Sequence, residues 1–228
     1  SSYLNQRPSQ VVIDGHSSNP FIASSGVPQG SILGPLFFNI FINEITNLFK
    51  YSTCYLFADD LKIMRVINDV NDAELLQRDI DKLVDWCQIN IMYLNISKCL
   101  HIKFTLKRNI IPTQYHISGE CLSEVSQTRD LGVELDTKLN FTKHIDKIID
   151  AANKSLSFVL RNGKEFKKVS TTLLLYNSYV RSKLDYCSSV WCPTYKTHIN
   201  RIERIQKKLL RHMSYRFRPP NYVESYVD

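Results

Sequence analysis

The spacing of apolar positions changes near residue 140, and the two halves predict different kinds of structure. Upstream, the apolar residues come in short runs. Residues 10–13 and 20–23 flank Asp14-Gly15-His16-Ser17-Ser18, which predicts a hairpin. Ser24-Ser25-Gly26-Val27-Pro28-Gln29-Gly30-Ser31 reads as a loop. After Gly34-Pro35, an apolar segment of helical density runs to Lys50, with Pro35 suited to the first turn, and a buried helix is expected there. Tyr55–Ala58 and Leu61–Ile67 are strand-like with only Asp59-Asp60 between them, predicting a tight hairpin with two carboxylates at its tip.

Asn71 or Asp72 is expected to cap the next helix, where Leu76, Ile80, Leu83 and Cys87 recur at the spacing of one buried face. Residues 100–106, 114–117 and 130–135 read as further strands, with Ser118-Gly119-Glu120 as a turn. From Thr142 the period becomes helical. Ile145 to Val159, residues 169–184, and Ile199 to Leu209 predict three helices and no strand. The third places Arg201, Arg204, Lys207, Lys208 and Arg211 away from its apolar stripe. The pattern therefore predicts an α+β domain followed by a helical one, with a boundary near residues 136–142.

Charge follows the same division. Residues 137–218 hold 18 Lys and Arg against 5 Asp and Glu, whereas residues 1–136 hold 11 against 15, within an overall formal charge of +7. This suggests an acidic, metal-holding front and a basic rear that grips a phosphate backbone; an ordinary solvated surface is the alternative. With 228 residues and 43% apolar composition, the chain can bury a sizeable core.

The six cysteines form no C-x-x-C pair, which suits reduced thiols and an intracellular protein, cytoplasmic or nuclear. Cys187, Cys192 and His198 match no familiar zinc spacing, so no zinc is expected. Neither a signal segment nor a run long enough to span a membrane occurs, and no membrane partner is expected. The sequence begins at Ser1 without Met, leading to the expectation that it continues upstream.

Adjacent carboxylates repel unless a cation lies beside them. Hard oxygen ligands with open positions suit Mg²⁺, with Mn²⁺ as an alternative; two such ions about 3.5–4 Å apart can activate a 3′-hydroxyl and stabilise leaving pyrophosphate. A solvated Asp-Asp turn is the competing reading of the bare dipeptide.

The neighbours of the pair tip this balance. Phe57-Ala58-Asp59-Asp60 between apolar strands, preceded by Ser25-Gly26-Val27-Pro28-Gln29-Gly30-Ser31-Ile32-Leu33-Gly34-Pro35-Leu36-Phe37, resembles the reverse transcriptases of non-LTR (LINE-type) retrotransposons, most closely the jockey-like group. The resemblance continues through Trp86, Asn95-Ile96-Ser97-Lys98-Cys99, Arg129-Asp130-Leu131-Gly132-Val133, Leu174-Tyr176-Asn177-Ser178 and Leu184-Asp185-Tyr186-Cys187.

That resemblance implies an RNA-directed DNA polymerase acting on an RNA template, a DNA primer and dNTPs. It implies a right-hand polymerase palm over residues 1–138, an antiparallel sheet with covering helices, then a thumb-like helical domain over 139–218 and a tail at 219–228. Asp59 would bind the catalytic metals and Asp60 support them, with Phe57 and Ala58 lining the site. Gly26, Gln29 and Gly30 would shape the nucleotide and template pocket. Lys98 would lie near the triphosphate, where it could donate a proton to pyrophosphate; a surface lysine is the alternative. Leu131, Gly132 and Val133 would belong to the primer grip, although Gly132 could equally mark a β-bulge. Arg201, Arg204, Lys207, Lys208 and Arg211 would hold duplex by its phosphates, or else form a solvated helix face.

The family pattern has another metal-binding aspartate on a strand before the Asp14 hairpin, and residues 1–228 are expected to lack it; Asp14, in a turn, is not expected to replace it. Two expectations follow: a polymerase inactive as this fragment alone, or a non-catalytic remnant that folds and at most binds nucleic acid.

Overall fold

The computed structural model describes residues 7–23 and 25–217; Ser24 and the expected tail at 219–228 lie outside the described residues. The chain divides into two compact units, Ser1–His101 with Asn109–Ser123, and Ile102–Arg108 with Glu124–Asp228.

The first unit opens with a nested hairpin. Outer strands β1 (Arg7–Ser9) and β4 (Phe21–Ala23) pair around inner strands β2 (Val12–Ile13) and β3 (His16–Ser17). Asp14 and Gly15 both take left-handed φ, at 48° and 81°, in the turn the sequence predicts.

Helix α1 (Gly34–Ile42) has proline in its first turn, but it tightens into a 3₁₀ segment at Asn43–Asn47 instead of running on to Lys50. The Thr46 hydroxyl donates to the Asn43 carbonyl at 2.7 Å, a local bond that competes with α geometry. The expected burial is also one-sided. Ile42 and Ile45 are buried with Leu83, Trp86 and Cys87, while Leu36 and Ile40 remain 53% and 62% exposed, because the core of this unit covers only one side of the segment.

Strands β5 (Thr53–Phe57) and β6 (Asp60–Met64) form the next hairpin, β6 stopping short of the expected Ile67. Helix α2 (Val70–Ile89) is capped by Asp69, not by Asn71 or Asp72: the Asp69 carboxylate accepts the Asp72 N–H at 2.8 Å. Asp72 then reaches back to accept the Asn68 N–H at 2.8 Å. Leu76, Ile80, Leu83 and Cys87 are all buried, as their spacing predicts.

The strand expected at 100–106 shrinks to β7 (Leu100–His101), since Ile102–Arg108 belongs to the second unit. The strand at 114–117 shrinks to β8 (His116–Ile117), which pairs with β9 (Glu120–Cys121) across Ser118 and Gly119 at φ 50° and 83°. Strand β10 (Ser123–Glu124) follows.

In the second unit, residues 130–135 are not one strand. They hold a hairpin tip, with Leu131 and Gly132 turning at φ 42° and 92° between β11 (Gln127–Asp130) and β12 (Val133–Asp136). The apolar flanks of Leu-Gly-Val disguise what is turn chemistry, and Gly132 is a turn residue rather than a bulge. Helices α3 (Thr142–Asn162), α4 (Val169–Tyr176), α5 (Ser182–Asp185), α6 (Ser188–Trp191) and α7 (Lys196–Arg216) complete it, with a π-helical segment at Asn177–Arg181 between α4 and α5. Their shared core includes Ile145, Leu156, Val180, Ile205 and Leu209, each at most 1% exposed. Such burial contributes about 1.5–3 kcal/mol per side chain. Among the described residues, no helix is long and apolar enough to cross a membrane.

Candidate functional site

The two-residue turn between β5 and β6 consists of Ala58 and Asp59. Asp60 is already the first residue of β6, opposite Phe57, so the expected arrangement with both aspartates in the loop is shifted by one position. Ala58 holds φ at 51°, a left-handed conformation that costs an L-residue about 1–2 kcal/mol. Three other tight turns among the described residues use glycine at such a position, and this one does not.

Cross-strand partners lie on the same face of a hairpin. Cys54, Leu56, Leu61 and Ile63 are partly buried, with Leu56, Leu61 and Ile63 packed against the core. The opposite face carries the pairs Tyr55–Lys62 and Phe57–Asp60, with Tyr55 55% and Phe57 63% exposed. Asp59 and Asp60 are both exposed at its end. Their oxygens are the hard donors a small divalent cation prefers, and two carboxylates with open space supply part of such an ion's shell. Among the described residues, no three His, Cys, Asp or Glu side chains are gathered closely enough to hold a metal by themselves.

Both ends of this hairpin are tied to α2. Ahead of β5, the wholly buried Asp79 carboxylate accepts the Tyr51 N–H at 2.8 Å and the Lys50 N–H at 3.2 Å, and takes the Lys82 ammonium at 3.0 Å. Burial opposes its ionisation, but the Lys82 bond and the two amides prevail and hold the carboxyl below its usual range. After β6, Arg65 donates to the Tyr51 carbonyl and to Asp72 at 2.6 Å. Sequence reasoning missed both residues. The available signal was Asp79 itself, a carboxylate within the Leu76-Ile80-Leu83 stripe.

Gly26, Gln29 and Gly30 lie exposed on one loop. A Cβ on Gly26 or Gly30 would meet nothing within 4 Å, so their φ of 73° and 80°, rather than crowding within the chain, calls for glycine. Arg7 holds this loop, donating to the Ser25 and Gly26 carbonyls at 2.9 and 2.8 Å. Lys98 is exposed at the end of a 3₁₀ turn, Ile96–Lys98. The hairpin tip keeps Phe57, Ala58, Asp59 and Asp60 together, while Leu131, Gly132 and Val133 form a separate hairpin in the second unit.

On α7, Arg204, Lys207, Lys208 and Arg211 are exposed while Ile205 and Leu209 are buried, so a basic face stands opposite the core. Arg201 is different: its guanidinium is committed to Asp146 on α3 at 2.6 Å. All six cysteines are free thiols.

The family model described as Reverse transcriptase (RNA-dependent DNA polymerase) matches residues 1–135. Among curated proteins, the chain is 28% identical over 223 residues to the RNA-directed DNA polymerase from mobile element jockey of Drosophila funebris, covering 93% of this chain and 24% of that protein. It is likewise 28% identical over 221 residues to the probable RNA-directed DNA polymerase from transposon BS of Drosophila melanogaster, covering 92% and 24%. For the probable RNA-directed DNA polymerase from transposon X-element, also of Drosophila melanogaster, the identity is 28% over 219 residues, covering 92% and 24%. The chain thus spans about a quarter of the length of these relatives. No solved structure matches it significantly.

Proposed function

The chain belongs to the reverse transcriptase family, and from that premise we propose that it supplies the rear palm and the thumb of an RNA-directed DNA polymerase of a non-LTR mobile element. The observation that carries this reading is the hairpin tip inside the matched region, where a left-handed Ala58 precedes two exposed, adjacent carboxylates. In this reading Asp59 and Asp60 hold divalent metal, Mg²⁺ or Mn²⁺, which when bound lowers the barrier to attack by the primer 3′-hydroxyl and offsets charge on the leaving pyrophosphate.

The remaining roles belong to the chain itself. Phe57 and Ala58 offer the primer end an apolar floor. Gly26, Gln29 and Gly30 offer backbone polar groups to template and nucleotide. Lys98, exposed and cationic, neutralises the triphosphate and can pass a proton to pyrophosphate. Leu131, Gly132 and Val133 meet the primer strand. The exposed cations of α7 grip duplex phosphates, with RNA template, DNA primer and dNTP as the partners. The palm would run over residues 1–138 and the thumb over 139–218.

One observation favours a second reading: no third acidic, His or Cys side chain joins Asp59 and Asp60 among the described residues. Residues 1–228 alone would then catalyse little or nothing and act at most as a nucleic-acid-binding remnant. Primer extension on an RNA template separates the two. Activity that needs Mg²⁺ and falls to background in Asp59→Asn supports the polymerase; extension that persists in this variant removes Asp59 from the metal site. Binding to duplex without extension, in any polypeptide that carries this chain, favours the remnant.

A further inference from the structure

Tyr186 presents a combination that calls for explanation. Its side chain is 54% exposed, yet its hydroxyl donates to the Leu131 carbonyl at 2.7 Å, across 55 residues of sequence. Its ring lies against Gly132, where a Cβ would come within 3.2 Å of Tyr186 Cε1. An exposed tyrosine gains little from burial, so this contact serves the hairpin tip more than the core.

The tyrosine is itself held in place. Its N–H donates to the Ser182 carbonyl at 3.2 Å, and its carbonyl accepts the indole N–H of the buried Trp191 at 2.8 Å. Cys187, immediately after it, takes φ of 51°, which turns the chain into α6. Trp191 in turn meets the His144 ring at 5.5 Å in an edge-on contact, and His144 Nδ1 accepts the Glu134 N–H from β12 at 3.3 Å. The hairpin is therefore fastened twice to one bracket, at its tip through Tyr186 and along β12 through His144, with Trp191 joining the two fastenings. The tip needs such support because Leu131 occupies a left-handed conformation that its side chain disfavours.

We propose that Tyr186 is a positioning residue that fixes the Leu131-Gly132 turn for contact with the 3′ end of a primer. The proposal rests on the reading of Leu131, Gly132 and Val133 as a primer contact, and it adds what sets their conformation. The tyrosine hydroxyl holds the Leu131 carbonyl and the ring fills the space above Gly132, so the Val133 amide and the Leu131 side chain are offered to the primer in one orientation.

The test measures binding of the 228-residue chain to a DNA primer with a recessed 3′ end on an RNA template, and to a blunt duplex of equal length. In Tyr186→Phe the ring stays over Gly132 and only the hydroxyl bond is removed. The ratio of the two affinities is expected to fall about 3- to 10-fold, which is one hydrogen bond's worth. The melting temperature should be unchanged and hydrogen exchange at the 131–133 amides faster. Gly132→Ala, which strains the turn and crowds Tyr186, serves as the reference. If Gly132→Ala lowers the ratio and Tyr186→Phe leaves it alone, the role of Tyr186 is overturned while the primer contact stands. If neither variant changes the ratio, or the unmodified chain shows no preference for the recessed end, the primer contact itself is wrong and the proposal goes with it.

Discussion

The carboxylate of Asp79 accepts the backbone N–H of Tyr51 at 2.8 Å from a wholly buried position on α2. This bond fixes where the chain turns into β5, and β5 carries the chain to Asp59. The geometry of an exposed tip is thus set partly by a buried charge about twenty residues away in sequence.

Replacing Asp79 with Ala leaves two amides and the Lys82 ammonium without their acceptor, and is expected to cost about 2–4 kcal/mol of stability in urea unfolding. The pH dependence has a definite sign. The folded carboxyl titrates below its usual range, so its stabilisation is complete above the unfolded pKa of about 4 and fades as pH falls below it. Asp79→Asn should flatten the loss of stability between neutral pH and pH 3. An equally steep loss in this variant would show that Asp79 is not its source.

At Ala58 the backbone, rather than the side chain, decides what is tolerated. With φ at 51°, Ala58→Gly should be neutral or stabilising by up to about 1 kcal/mol. Ala58→Val, adding a β-branch to a left-handed residue, should cost about 1–2 kcal/mol. Equal stability of the two variants would mean that the turn relaxes to another conformation.

His144 is 3% exposed and uses Nδ1 as an acceptor, so it must stay neutral to hold Glu134. Burial, aided by the Lys147 and Arg129 charges and opposed by Glu134, holds its pKa below the ordinary value. The unfolded chain therefore takes up this proton first. Stability from this residue is full above about pH 6.5 and is lost as pH falls through that value towards the folded pKa. His144→Gln, which keeps an acceptor, should show a shallower loss between pH 7.5 and 5.5. A titration of the His144 ring followed by NMR with an ordinary midpoint would sink the prediction.

The basic face of α7 divides into two predicted behaviours. Replacing Arg204, Lys207 or Arg211 with Gln should reduce the salt slope of duplex binding by roughly 0.9 for each phosphate that is no longer neutralised. Arg201→Gln should leave that slope alone, because its guanidinium serves Asp146, and should cost only about 0.2–1 kcal/mol of stability at this half-exposed pair. A slope changed by Arg201 and unmoved by Arg204 would reverse the assignment of the face.

The elements that were legible in the sequence are those whose cause is local. Asp14-Gly15 and Ser118-Gly119 announce left-handed turns, and the Leu76-to-Cys87 spacing announces a buried face. Leu131-Gly132 obeys the same turn chemistry but sits among apolar neighbours, which gave it the look of a strand interior. Asp69, Asn71 and Asp72 are all competent caps, so composition could not choose among them; the Asp72 bond to Arg65 did. Around the candidate site, the Asp59-Asp60 turn was legible because its residues carry its chemistry. Its supports at Arg7, Arg65 and Asp79, and the bracket at Tyr186, depend on partners 7 to 55 residues away, and no local pattern encodes such distances.

The π-helical segment at Asn177–Arg181 changes how this stretch registers mutation. A helix winds about 100° per residue, and a π segment is what an α-helix becomes when it holds one residue more than its winding accommodates. Tyr176, Val180 and Leu184 all reach the core at steps of four because this surplus is absorbed between them. Removing a single residue there would let the helix rewind and swing everything after it by about a quarter turn, carrying Leu184 off the core and Tyr186 off its hairpin. Most exchanges of one exposed side chain for another would leave that phase untouched, so the length of this helix is guarded more strictly than its letters.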